Sequence, residues 1–196
     1  MTTVTVLLYE NNHLISKAEC LLKDDYASLN DNQIFADINN DGITDVFSIM
    51  LPLRNDTAAN YENYMRIWQC WDGQKGFKII KAEMSNLRDG YTFELPIKWL
   101  DKLSYGFEYQ GDIAWSVFYY KNADNYVSVF SIAAIERSLW DNFPQLQKSA
   151  LFLGNNAENN KVYIALIAPD LPDGFTIDRS MLISCLKIDG GRQNGR

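Results

Sequence analysis

Histidine is the scarcest chemically useful residue in this chain, with a single copy at His13. One imidazole cannot build a site that needs several, and the sequence contains no Gly-x-Ser-x-Gly, His-Glu-x-x-His or phosphate-binding glycine motif. We therefore expect no enzyme and assign no catalytic residue. Because 25 residues are acidic, a hydrolase that uses two facing carboxylates is kept as an alternative.

Cysteine is also scarce, and the three copies, Cys20, Cys70 and Cys185, are far apart in the sequence. Without a CxxC pair or a Cys/His cluster, neither a structural zinc site nor a disulfide framework is expected. The simplest interpretation is three small buried apolar side chains. The alternative is one disulfide and one free thiol.

Long apolar runs and an excess of basic charge are both missing. The longest apolar run, residues 46–53, contains Ser48 and Pro52 and falls short of the roughly 18 residues that cross a bilayer. With 18 basic and 25 acidic residues the net charge is −7, which argues against nucleic acid and favours a basic protein partner. A glycan is the other candidate partner.

The start of the sequence does not fix the compartment. No basic segment followed by an apolar one appears there, as a secretory signal would require. The protein is therefore expected to be cytoplasmic, or periplasmic or secreted if a signal peptide has been removed.

The sequence is 47% apolar and 13% aromatic, which is typical of a globular protein. Alternating apolar residues predict a mainly β (α+β) fold, an antiparallel β-rich single domain over residues 1–196. The predicted strands are residues 3–9, 13–22, 33–37, 43–51, 64–71, 77–82, 112–120, 126–132, 161–167 and 181–188.

One stretch changes period. Apolar residues at helical spacing predict a helical segment at about 133–152, which Pro144 should break or kink. Five of the aromatic residues between 105 and 120 either fill the core or form an exposed patch suited to a partner. They are Tyr105, Phe107, Tyr109, Tyr119 and Tyr120.

The segment that carries chemistry runs from Asp37 to Asp45 and has the pattern D-x-N-x-D-G-x-x-D. Calcium prefers six to eight oxygen ligands, and alternate spacing in a curled loop can direct several side chains to one point. The candidate side-chain ligands are Asp37, Asn39, Asp41 and Asp45, and Ile43 would contribute its carbonyl oxygen. Glycine at position 42 allows the sharp bend.

The pattern matches the first nine positions of an EF-hand loop, but the twelfth position, normally a glutamate, is Ser48. The residues after the loop, 46–51, have the character of a strand rather than a helix. A β-hairpin whose bend holds calcium is therefore predicted. The alternative is an ordinary Asp/Asn/Gly turn without a metal.

This hairpin, at residues 32–51, resembles the FG-GAP/VCBS repeat, the calcium-binding blade motif of integrin-like β-propellers. The resemblance begins at Ile34-Phe-Ala-Asp-Ile-Asn-Asn-Asp-Gly-Ile-Thr-Asp-Val-Phe47 and extends over about residues 32–82. It implies the same ligands, with calcium as the cofactor. Because the chain has one such copy, we do not expect a closed propeller.

The predicted function is a non-enzymatic, calcium-binding interaction domain. One concrete form is an immunity or inhibitor protein that binds a basic bacterial toxin, since such proteins are often small and acidic. The alternatives are the carboxylate-dependent hydrolase and a cell-surface adhesion module or propeller fragment.

Overall fold

Antiparallel strands make up most of the described chain, which confirms the mainly β class. The computed structural model describes residues 2–11, 13–22, 35–50, 63–74, 76–122 and 125–189. The strands are β1 (Thr2–Glu10), β2 (His13–Leu22), β3 (Phe35–Ala36), β4 (Asp45–Met50), β5 (Asn63–Trp71), β6 (Phe77–Asn86), β7 (Tyr91–Leu95), β8 (Leu103–Gln110), β9 (Ile113–Asn122), β10 (Asn125–Glu136), β11 (Leu151–Asn156), β12 (Lys161–Ile167) and β13 (Leu186–Ile188). These strands do not form a closed propeller, as expected.

The chain divides into two compact units, Met1–Leu51 with Met65–Glu83, and Pro52–Tyr64 with Met84–Arg196. β6 begins in the first unit and ends in the second. The prediction of one domain over the whole chain stays a prediction.

The first unit contains two sets of strands. β1 and β2 form an antiparallel hairpin, and their bounds confirm the strands predicted at residues 3–9 and 13–22. A second sheet has the order β6-β5-β4-β3. Phe47 of β4 lies opposite Trp68 of β5, and both rings are buried with their centroids 5.4 Å apart. This aromatic pair anchors β4, the strand that follows the loop from Asp37 to Asp45 (the calcium-type loop).

The second unit is built on a sheet with the order β11-β12-β10-β9-β8. The predicted hairpin between residues 112 and 132 is confirmed as β9 and β10, and the predicted strand 161–167 is β12. In the same unit β13 pairs with β7, which also neighbours the end of β6. Phe118 and Phe130 stack with their ring centroids 4.3 Å apart in the core.

The helix predicted at 133–152 is partly wrong. Residues 133–136 continue β10 beyond its pairing with β9, which ends at Ile132, because they pair with β12. The hydrogen bonds of this pairing satisfy the backbone and override the helical spacing of the side chains. The helical part is two short helices, α1 (Arg137–Asn142) and α2 (Pro144–Ser149). The break before Pro144 is confirmed, and residues 151–152 begin β11.

The strand predicted at 181–188 is also partly wrong. A helix, α3 (Arg179–Cys185), occupies most of it, and only Leu186–Ile188 is a strand. The Asp178 side chain caps the helix by accepting the N–H of Met181 at 2.8 Å. Hydrogen bonds from the Ser180 hydroxyl and from that N–H lower the pKa of the Asp178 carboxyl. Periodicity alone does not separate short apolar helices from strands.

The five clustered aromatic residues do not form an exposed patch. Tyr105 is fully buried, Phe107, Tyr119 and Tyr120 are half-buried, and only Tyr109 is exposed, at 63%. Tyr105, Phe107 and Tyr109 alternate onto one face of β8, and their exposure rises toward the end of that strand.

The structure describes the side chains of two of the three cysteines. Cys70 is buried, Cys185 is half-buried, and both are free thiols. They do not form a disulfide with each other. The side chain of Cys20 lies outside the described residues.

Candidate metal centre

The calcium-type loop joins β3 to β4, as the sequence predicts. Phe35 lies opposite Val46, and Ala36 lies opposite Asp45. This pairing brings the two ends of the loop, residues 37 and 45, to neighbouring positions. Residues 32–34 and 51 of the predicted hairpin lie outside the described residues.

The side chains of the loop are directed at its own backbone. The two oxygens of Asp37 accept the N–H groups of Asp41 at 3.1 Å and Gly42 at 2.9 Å. The amide oxygen of Asn39 also accepts the Asp41 N–H, at 3.0 Å. These bonds curl the loop tightly, and Gly42 takes the left-handed backbone conformation, with φ at +84°.

Asp41 lies at the centre of the curl. Its Oδ1 accepts the N–H of Ile43 at 2.8 Å, and its Oδ2 accepts the side-chain amide of Asn39 at 2.9 Å. The hydrogen bond from Ile43, followed by that from Asn39, lowers the pKa of the Asp41 carboxyl. Its negative charge is therefore retained well into the acid range.

Asp45 differs from the other ligand candidates because it is fully buried. Its Oδ2 accepts the N–H of Ile38 at 2.9 Å. Its Oδ1 is also buried and has no hydrogen-bond partner among the described residues. A buried carboxylate oxygen without a partner is costly, and a bound cation is one physical means of compensation.

Cys70 of β5 lies beside the carboxylates of Asp41 and Asp45. Its Sγ is 3.7 Å from Oδ2 of Asp41 and 3.4 Å from the carbonyl oxygen of Trp71. Burial raises the pKa of the Cys70 thiol to about 11, with Asp45 and Asp41 adding to the effect. The thiol is therefore neutral at physiological pH and adds no charge to the loop.

The predicted ligands fit calcium in their chemistry, since all four side chains offer oxygen and Oδ1 of Asp45 has no hydrogen-bond partner among the described residues. The described residues hold no group of three or more His, Cys, Asp or Glu side chains placed to bind a metal. The carboxylates of Asp37 and Asp41 instead hold loop amides. To bind calcium, these carboxylate oxygens would have to give up their hydrogen bonds to the loop amides and coordinate the ion together.

Each predicted ligand can be placed in the structure. Asp37, Asn39, Asp41 and Ile43 are exposed on the loop, and Asp45 begins β4 beneath it. Ser48, at the twelfth position, lies in β4, where its hydroxyl contacts the Ile67 carbonyl and the Gln69 amide of β5. Sequence reasoning missed Cys70, since its position depends on the pairing of β4 with β5.

Substitution of Gly42 by alanine should destabilise the protein by about 1 kcal/mol, because an L side chain is strained in the left-handed conformation. The matched control is Gly76→Ala in the same unit. There the added methyl would lie 3.9 Å from Asp72, an ordinary contact, with no positive φ. Urea unfolding of both variants measures the difference. Equal losses would contradict a specific role for the Gly42 conformation.

Comparison with protein-family models, curated proteins and solved structures finds no match. The site is therefore interpreted from its own geometry. In the part of the chain that the structure describes, no helix combines the length and apolar character needed to cross a membrane.

Proposed function

We propose that the protein is a calcium-binding, non-enzymatic β-rich interaction domain whose partner is a basic protein. The observation that carries the calcium part is the buried Oδ1 of Asp45, which has no partner among the described residues and lies at the end of an oxygen-rich loop. The resemblance to the FG-GAP/VCBS repeat supports the same ligands. Asp37, Asn39, Asp41, Asp45 and the Ile43 carbonyl would hold the ion.

Calcium in this position would act on the hairpin rather than on a substrate. The loop joins β3 to β4, and β4 pairs with β5 through Val46–Met50. An ion bound between Asp37 and Asp45 would neutralise the crowded carboxylates and fix the start of β4. The chemistry supplied by calcium is thus charge compensation and geometric restraint.

The basic partner is supported by charge. The net charge of −7 attracts positively charged proteins and raises their rate of association. An immunity or inhibitor protein that binds a basic bacterial toxin is a concrete form of this proposal, and it rests on class-level analogy. A glycan partner is less favoured, since only one of the five clustered aromatic rings is exposed.

Calorimetric titration of chelator-treated protein with calcium chloride tests the calcium part. We expect one binding event, lost in Asp45→Asn and retained in Asp101→Asn, which removes an exposed carboxylate from the second unit. Magnesium should bind more weakly because it demands a strict octahedral shell. No heat with calcium, together with no shift in melting temperature at millimolar calcium, would overturn the proposal.

A further inference from the structure

A pocket of about 460 Å³ lies in the second unit, within the size range of ligand-binding pockets. Its lining brings together the turn between β6 and β7, the turn between β8 and β9, and the end of β10. The polar groups that face it are Arg88, Asp89, Tyr109, Asp112, Glu136 and Lys161. They carry two positive and three negative charges.

The positive charges are already compensated. Asp89 is buried, and its two carboxylate oxygens bind Arg88 Nη2 at 2.9 Å and Lys161 Nζ at 3.1 Å. The hydrogen bond to Asp89 raises the pKa of the Arg88 guanidinium still further. Neither cation is therefore well placed to attract an anionic ligand.

The two remaining acidic groups, Glu136 and Asp112, are not ion-paired within the part of the chain that the structure describes. Glu136 lies opposite Lys161 in the pairing of β10 with β12, yet the Lys161 ammonium binds Asp89 instead. Asp112 lies in the turn before β9. Among the described residues neither Glu136 nor Asp112 takes part in an ion pair. The pocket therefore offers two carboxylates that make no ion pair with any described residue.

Apolar surface lies beside these carboxylates. Ile113 and Leu139 line the pocket and pack against the core cluster under the helices. Tyr109 is 63% exposed, and its hydroxyl accepts a weak hydrogen bond from Arg88 Nη1 at 3.4 Å. A ligand that combines a cation with an alkyl stem would find a counterpart for each of its parts.

We propose that this pocket receives a lysine or arginine side chain of the basic partner protein. The cation pairs with Asp112 and Glu136, and the alkyl stem lies over Ile113 and Leu139. This inference rests on the basic partner of the proposed function and is independent of calcium. Such a site would act as the anchor of the interface.

The test uses the blocked peptide acetyl-Gly-Arg-Gly-amide, titrated into the full chain and followed by ¹⁵N–¹H NMR. Shifts are expected around residues 109–114 and 134–139. The double variant Asp112→Asn/Glu136→Gln should lose about tenfold in affinity, which is about 1.4 kcal/mol. The matched control Asp141→Asn/Asp170→Asn removes the same charge from exposed positions in the same unit and should keep the affinity.

A peptide with citrulline in place of arginine keeps the shape without the charge and should not bind. An equal loss of affinity in both double variants, or equal affinity for the citrulline and arginine peptides, would overturn the pocket inference.

Titration with a hexa-arginine peptide distinguishes failure of the pocket inference from failure of the proposal that the partner is a basic protein. Binding to the wild type and both double variants alike would reject the pocket and keep a basic partner. Absence of binding to all three would reject both.

Discussion

Calcium is expected to stabilise the wild-type protein by about 2.7 kcal/mol when its free concentration is about 100 times the dissociation constant, and to leave Asp45→Asn unchanged. The gain arises because only the folded loop assembles the ligands. Asp45 is central, since it alone among them is fully buried and has an oxygen without a partner. Thermal or urea unfolding in calcium and in chelator measures both effects.

The same variant should behave differently without calcium. Asparagine keeps an oxygen that can accept the Ile38 N–H, and it removes a buried negative charge. In chelator we therefore expect Asp45→Asn to be at least as stable as the wild type, whereas in calcium it should be less stable.

Hydrogen exchange should localise the calcium effect to residues 35–50 and 63–71, which contain the loop and its paired strands. Asp101→Asn serves as the control and should respond to calcium as the wild type does. A variant that is less stable to the same extent in both conditions would show that Asp45 has only a structural role.

Replacement of Asp89 by alanine should destabilise the protein by about 3 kcal/mol, the low end of the cost of breaking a buried charge pair. The carboxylate binds Arg88, Lys161 and the side-chain amide of Asn86. Its removal leaves all three without this partner, and the side chain of Lys161 is only 20% exposed. Asp89→Asn should lose less, because the amide oxygen still accepts hydrogen bonds.

Urea unfolding gives the loss in each variant. Asp112→Asn is the control, since this exposed carboxylate lines the same pocket and makes no ion pair among the described residues. It should leave stability unchanged. A loss below about 1 kcal/mol in Asp89→Ala would mean that water replaces the carboxylate without a large cost.

Local signals in the sequence predicted many of the strands and the position of the loop, but they did not predict β7, β8 or β11. The β1–β2 hairpin follows from alternating apolar residues, whereas the β9–β10 hairpin and β12 follow from segments rich in aromatic and β-branched residues. The loop from Asp37 to Asp45 is contiguous, so its spacing alone brings the ligand candidates together. These features depend on residues close in sequence.

Features that depend on distant pairing could not be predicted. Residues 133–136 are a strand because they pair with β12, and the periodicity of these residues does not reveal that partner. The burial of Asp45 and the contact of Cys70 with Asp41 depend on the β4–β5 pairing. The pocket at Asp89 joins residues more than 70 positions apart, as in its contact with Lys161.

The pairing of β13 with β7 affects how the chain can fold during synthesis. Leu186 lies opposite Phe93, so one edge of β7 gains this partner only after a segment 93 positions further along the chain has emerged from the ribosome. Long-range pairing of this kind is slow, and an unpaired edge invites association with other nascent chains. Premature termination before residue 186 would therefore release a protein with an open, aggregation-prone strand.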